Sequence, residues 1–119
     1  MSNGWTKIPK YQNHKTVIDG ITFDSKLEAN RYAQLKILER AGKIQALQLQ
    51  PEYELIPSFK KNGKTYRSCS YRADFAYYDI EKGKVIVEDT KGFETDVYKL
   101  KRKMFEHKYP DLTITEIRR

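Results

Sequence analysis

The chain has 119 residues, the size of one ordinary domain with a single core, and no second domain is expected. Lysine and arginine number 23 against 16 acidic residues, a formal charge of +7, which favours a polyanionic partner and nucleic acid first of all. The single cysteine, Cys69, excludes an internal disulfide, and no stretch approaches the roughly 20 apolar residues of a membrane span. Because no N-terminal run resembles a signal peptide, a cytoplasmic location is expected.

The N-terminal part of the chain predicts an arm followed by a hairpin. Residues 1–15 are polar and basic and contain Pro9, so they are expected to lie outside the core. Residues 16–23 are predicted to form a short hairpin that turns at Asp19-Gly20, a strong local turn signal. The folded domain is therefore expected to span residues 16–119.

A helix is predicted over about residues 25–41. Ser25-Lys26-Leu27-Glu28 matches the capping-box pattern, in which a serine and a glutamate satisfy free amides of the first turn. Apolar residues recur near helical spacing after it, and Gly42 ends the helix. On spacing alone, Glu28 is interpreted first as the cap carboxylate and second as an acid directed toward the edge of a sheet.

The middle of the chain predicts β-structure. Residues 44–50 and 52–56 alternate apolar and polar side chains on either side of Pro51, which indicates two short strands or one bent strand. Residues 58–67 contain an Asn-Gly turn among basic residues and are interpreted as an exposed, positively charged loop. Contact with phosphates and simple solvation are equally compatible with this composition. Its cations are Lys60, Lys61, Lys64 and Arg67.

The chemistry is expected where a buried strand ends in charged residues. Residues 85–92 pass from β-branched residues into Glu88, Asp89, Thr90 and Lys91, and alternation places Asp89 and Lys91 on one face. Residues 71–78 are interpreted as the preceding strand of a hairpin, which can bring Asp74 beside Asp89. Two carboxylates and a lysine at one edge can hold a hard divalent cation and a water. The alternative is a structural ion pair at a strand end.

A second helix is predicted over residues 94–108, ended by Tyr109-Pro110. Val97, Leu100 and Met104 are expected to trace its apolar face. A final strand is predicted over residues 112–117. Cations on the other side of the helix and one arginine before Asp74 complete the predicted nucleic-acid surface, with Lys99, Arg102, Lys103 and Arg72 as its members.

Together these residues resemble the PD-(D/E)XK nuclease superfamily. The resemblance rests on Asp74, on Asp89-Thr90-Lys91 after a loop, and on Glu28 in an earlier helix, although Ala73 stands where the superfamily's name has proline. It covers about residues 16–117, and the wider pattern resembles a group of small phage-encoded proteins of this superfamily, which are grouped with restriction-endonuclease-like and Holliday-junction-resolvase-like enzymes.

The resemblance implies an α/β/α sandwich with a central mixed sheet, one helix on each face. It implies a Mg²⁺- or Mn²⁺-dependent DNA endonuclease in which Asp74, Asp89, the Thr90 carbonyl and Glu28 bind the metal and Lys91 assists. The resemblance also changes the preferred interpretation of Glu28 from a helix-cap carboxylate to a metal-binding residue of the site. Resolution of branched DNA would require a dimer, whereas a nicking enzyme can be a monomer, and the sequence leaves this open.

Two other functions fit the same sequence. The fold could persist as a DNA-binding module without catalysis, in which case the basic surface alone would carry the function. An RNA-binding protein that stacks bases on some of its nine tyrosines is the third interpretation.

Overall fold

The computed structural model describes residues 15–91 and 93–118, so the predicted arm lies outside the described residues except for Lys15. The helices are Lys26–Arg40 (α1) and Asp96–Lys108 (α2), each within two residues of its predicted bounds. No helix in these two ranges is both long and apolar enough to cross a membrane. The strands are Thr16–Ile18 (β1), Ile21–Phe23 (β2), Ile44–Leu49 (β3), Glu52–Ile56 (β4), Phe59–Lys61 (β5), Lys64–Tyr66 (β6), Cys69–Arg72 (β7), Phe75–Asp79 (β8), Lys84–Thr90 (β9) and Ile114–Ile117 (β10).

A four-stranded mixed sheet with the order β10-β9-β8-β3 forms the centre of the molecule. Strand β9 pairs antiparallel with β8 and parallel with β10, and β3 pairs antiparallel with β8 at the far edge. Successive residues of β9 face opposite ways, so Ile86 joins the core cluster under α1 and Val87 joins the cluster under α2. The two helices therefore lie on opposite faces of the sheet, which confirms the predicted α/β class with a mixed sheet.

Helix α1 begins as the capping pattern predicts. The Ser25 hydroxyl accepts a hydrogen bond from the Glu28 backbone N–H at 3.0 Å, which satisfies one of the free amides of the first turn. Leu35 is fully buried against the sheet, and the ring of Tyr32 lies 4.9 Å from that of Phe23. The β1–β2 hairpin that carries Phe23 also forms as predicted.

Helix α2 packs mainly through aromatic rings, and of the predicted apolar stripe Met104 packs against the core whereas Val97 and Leu100 do not. Phe105 is fully buried with its ring centroid 5.4 Å from that of Tyr71, and Tyr98 is buried two turns earlier on the same side. Val97 and Leu100, expected to face the core, are 63% and 57% exposed. The prediction was wrong for these two residues because two neighbouring stripes of this helix are apolar, and the one with the larger rings buries more surface.

The strand predicted over residues 71–78 is broken in two. Strand β7 pairs with β4 in one sheet, whereas β8 belongs to the central sheet. At the break, the Gln50 N–H donates to the Asp74 carbonyl at 2.9 Å and the Ala73 N–H donates to the Pro51 carbonyl at 3.0 Å. Gln50 adopts a φ of 52° there, in the left-handed region. The two chain segments thus change direction together, and of the two interpretations of residues 44–56 the structure has two short strands, β3 and β4, in different sheets.

Residues 59–66, interpreted from the sequence as a loop, form a hairpin of β5 and β6, here called the hairpin arm. Asn62 and Gly63 have φ angles of 53° and 73°, the left-handed pair that a type I′ turn requires and that matches the twist of the flanking strands. Phe59 pairs with Tyr66 across the two strands. The Asn-Gly signal therefore marked a hairpin, and the short strands were missed because all six of their residues are exposed.

Candidate active site

The end of β9 distributes its charged residues between the two faces of the sheet. Asp89 lies on the α2 side, where Lys91 reaches it, with the ammonium nitrogen 3.1 Å from Asp89 Oδ1. Glu88 lies on the α1 side, where it pairs with Arg31. The predicted alternation is therefore observed, and it separates two adjacent acids into different surroundings.

Asp74 reaches the same edge from the break between β7 and β8. The Asp74 N–H donates to the Glu88 carbonyl at 3.1 Å, which holds the aspartate backbone against β9. Asp74 Oδ2 accepts hydrogen bonds from both the backbone N–H and the hydroxyl of Thr90, each at 2.7 Å. The strand break leaves the Asp74 carboxylate directed at the end of β9, next to Asp89, as the hairpin pairing predicted.

Asp89 is nearly inaccessible to solvent, with 4% of its surface exposed. Burial raises the pKa of its carboxyl to about 6; the hydroxyl of Tyr71, which donates to Oδ2, and the Lys91 ammonium oppose this, while Asp74 adds to it. A carboxylate in this position is costly to ionise. Any additional positive charge that approaches the site therefore stabilises the ionised form of Asp89.

Lys91 is held between a carboxylate and an aromatic ring. Its ammonium nitrogen lies 3.8 Å from the centroid of the Tyr98 ring, besides its contact with Asp89. The Tyr98 hydroxyl donates to Glu116 at 2.7 Å, which fixes the orientation of the ring. Tyr71 and Tyr98 were not predicted as site residues.

Glu28 is the third acid of the site. It is 6% exposed, and its pKa is raised to about 7 by burial first, then by the charges of Asp74, Asp24 and Asp89. The Ser25 half of the capping box is formed, but the Glu28 side chain also lies within the electrostatic influence of both site aspartates. Sequence spacing favoured the cap role. In the fold, Glu28 lies both in the first turn of α1 and near the two site aspartates.

The donor set suits a hard divalent cation. Glu28, Asp74 and Asp89 supply carboxylate oxygens, and burial, with the charge of Asp74 adding to it, raises the pKa of Glu28 and of Asp89. Within the described ranges, no three His, Cys, Asp or Glu side chains are already arranged as a metal-binding group. Oxygens of the two aspartates are instead in contact with Thr90, Tyr71 and Lys91.

Glu28→Gln is expected to stabilise the metal-free protein at pH 8 by about 1–3 kcal/mol. A carboxyl whose pKa is raised from 4.5 to about 7 in the folded state costs stability as the pH rises through this interval, and glutamine removes that cost. The difference should vanish near pH 4, where the carboxyl is protonated in both states. Urea unfolding in EDTA at the two pH values measures it, with the exposed turn variant Glu81→Gln as control. A variant less stable than wild type at pH 8 would mean that the cap role dominates.

The other buried acid, Glu88, belongs to a structural network. Arg31 donates to its two oxygens at 2.7 and 2.6 Å, and the Tyr77 hydroxyl donates to it as well. The sequence motif favoured Asp89 over Glu88 because of the spacing to Lys91. In the structure, Glu88 accepts these hydrogen bonds on the opposite face of the sheet from Asp89.

The predicted nucleic-acid-binding residues occupy two surfaces. Lys60, Lys61, Lys64 and Arg67 are exposed on or beside the hairpin arm, and Arg72 is exposed at the end of β7. On α2, Lys99 and Lys103 are exposed, but the Arg102 guanidinium is bound to Glu116 at 2.8 Å. Arg102 is thus engaged in an ion pair, whereas the cations of the hairpin arm are exposed.

A family model described as "Protein of unknown function (DUF1064)" matches residues 8–119. Comparison with curated proteins and with solved structures gave no match.

Proposed function

The chain belongs to the DUF1064 family, and from its candidate active site we propose that it is a metal-dependent DNA endonuclease with a restriction-endonuclease-like fold. The observation that carries this proposal is that helix α1, the break between β7 and β8, and the end of β9 bring together Glu28, Asp74, Asp89 and Lys91. A structural ion pair needs only two partners. Burial, with the charges of neighbouring aspartates adding to it, raises the pKa of Glu28 and Asp89, and a role in binding a cation explains these further acids better than an ion pair does.

Glu28, Asp74, Asp89 and the Thr90 backbone carbonyl would hold Mg²⁺ or Mn²⁺. When bound, such a cation lowers the pKa of a coordinated water and offsets charge on the phosphate. The Thr90 N–H and hydroxyl fix the orientation of Asp74 through two hydrogen bonds, and Tyr71 does the same for Asp89. These partners position the carboxylates and do not themselves react.

Lys91 would act at the scissile phosphate. In hydrolysis, a water oxygen bonds to phosphorus, one bridging P–O bond breaks, and the departing alkoxide takes up a proton. The Lys91 ammonium would orient the attacking water or stabilise the charge that develops on the phosphate oxygens. The Tyr98 ring limits the directions in which this ammonium can move, because it lies 3.8 Å from the nitrogen.

Incubation of the wild-type protein with supercoiled, linear duplex and four-way-junction DNA is expected to give nicked or cut product with Mg²⁺ or Mn²⁺ and none with EDTA. The same preparation with Ca²⁺ provides a control, since it is a hard cation with a looser geometry. Cleavage that continues in EDTA would contradict the metal-dependent mechanism. Light scattering with and without the junction determines whether a homodimer, which symmetric cutting of a junction requires, is formed.

One observation favours a second candidate, a DNA-binding module without catalysis. Lys91 and Tyr71 already occupy the oxygens of Asp89, and the described residues contain no assembled metal-binding group. Such a module would bind DNA equally well with Mg²⁺ and with EDTA and would give no product with any of the three substrates. A binding measurement beside the cleavage assay therefore separates the two functions.

A further inference from the structure

The hairpin arm combines full exposure with an unusual charge pattern. Phe59 and Tyr66 stack with ring centroids 4.8 Å apart and planes 11° apart, and they lie on one face of the two strands. The next pair on that face is Lys61 opposite Lys64, directly beside the Asn-Gly turn. The other face carries Lys60 opposite Thr65. Both faces of this narrow ribbon thus present cations.

Two lysines directly opposite each other on a strand pair repel and destabilise the pair. Neighbouring acids could offset this, but residues 55–73 contain five cations and no acid. The hairpin is nevertheless pre-organised by its type I′ turn and by the stacked rings at its base. The Lys64 ammonium lies 5.2 Å from the centroid of the Tyr66 ring, but neither lysine has an acidic partner among the described residues. An exposed pair of ammonium groups of this kind is suited to a partner with closely spaced negative charges.

We propose that the hairpin arm inserts into the major groove of duplex DNA, with Lys61 and Lys64 against the phosphates. This inference rests on the proposed function for its choice of DNA, but it adds the element that recognises the duplex. Strands in a pair lie about 4.8 Å apart, and a two-stranded ribbon fits the major groove, which is about 12 Å wide. Cations on both faces of the ribbon match the phosphate backbones on both walls of a groove.

Single-stranded DNA and duplex RNA suit the hairpin arm less well. Each aromatic ring already has one face covered by the other ring, so the pair is not an open platform for successive bases. The major groove of A-form RNA is deep and narrow and does not admit side chains carried on a ribbon. The duplex form of DNA is therefore the partner that the geometry selects.

The experiment measures equilibrium binding in EDTA, so that no cleavage intervenes, to a duplex of about three helical turns. Lys61→Ala/Lys64→Ala is expected to weaken duplex binding about tenfold near 0.1 M salt and to reduce the slope of log K against log salt by about 2. Binding to single-stranded DNA and to duplex RNA of the same sequence should change less. Circular dichroism and thermal melting verify that the variant is folded.

Lys82→Ala/Lys84→Ala is the matched control. It removes the same charge beside another β-turn, between β8 and β9, at the end of β8 that lies away from Asp74. The proposal would be overturned if duplex binding fell equally in both double variants, or if it did not fall when Lys61 and Lys64 are replaced. A larger loss of affinity for single-stranded DNA or duplex RNA than for duplex DNA would also overturn it. If the wild-type protein cuts DNA but its affinity for the duplex does not depend on the hairpin arm, the nuclease proposal is supported and the hairpin-arm proposal is refuted. If the protein never cuts DNA but needs the hairpin arm to bind the duplex, only the hairpin-arm proposal is supported.

Discussion

Asp74→Asn is expected to reduce metal-dependent DNA cleavage by about 10³-fold or more. A metal-assisted site supplies several kcal/mol of charge stabilisation, and each 1.36 kcal/mol corresponds to a factor of ten in rate. Asparagine keeps an oxygen that can accept the hydrogen bonds from Thr90, now donated at 2.7 Å to Asp74 Oδ2, so the loss should not come from misfolding. Single-turnover cleavage of a labelled duplex at saturating protein measures the rate of the chemical step.

Asp79→Asn serves as the control for this experiment. Asp79 is the last residue of β8, whereas Asp74 directly precedes the first residue of that strand. Its carboxylate accepts the Lys82 N–H at 2.9 Å, a bond that asparagine can also accept. Cleavage should stay near the wild-type rate in this variant. If Asp74→Asn cleaves as fast as Asp79→Asn, the assignment of the site to the Asp74 and Asp89 edge is wrong, even if the protein proves to be a nuclease.

Arg31→Ala is expected to destabilise the protein by about 3 kcal/mol, equivalent to a fall in melting temperature of roughly 10 °C. The substitution leaves Glu88, which is fully buried, with Tyr77 as its remaining hydrogen-bond donor among the described side chains. The cost comes from an uncompensated buried charge and not from the intrinsic strength of the ion pair. Thermal and urea unfolding at pH 7 measure this loss.

The double variant Arg31→Met/Glu88→Gln separates the two contributions. It removes both charges while keeping similar side-chain volumes, so its stability should lie closer to wild type than that of Arg31→Ala. Its cleavage activity should also persist, because Glu88 faces α1 and not the proposed metal site. A double variant that folds well but has lost all cleavage would place Glu88, and not Asp89 alone, in the catalytic machinery.

The secondary structure was most predictable where the sequence carried local signals. Ser25 with Glu28 marked the start of α1, Asp19-Gly20 marked the first hairpin, and the apolar run before Glu88 marked β9. Each signal acts through near neighbours in the chain, by capping, by turn geometry or by alternation. Local chemistry is the same before and after folding, so it can be read without the fold.

Long-range choices were less predictable. The stripe of α2 that packs inward depends on which rings the opposing strands accept, and Phe105 and Tyr98 displaced Val97 and Leu100. The break before Asp74 depends on Pro51, which lies between β3 and β4 and has no N–H to donate. Its carbonyl accepts the Ala73 N–H. Neither partner is near in sequence, and periodicity carries no information about it.

The same division applies to the candidate active site. The sequence by itself determined that Asp89 and Lys91 share a face and that Asp74 can lie beside them, because alternation and hairpin pairing require only local geometry. Only the tertiary structure decided that Glu28 is buried near both aspartates and that Glu88 is neutralised by Arg31. The physical reason is that burial and charge proximity, which set the cost of ionising an acid, exist only after distant segments have packed together.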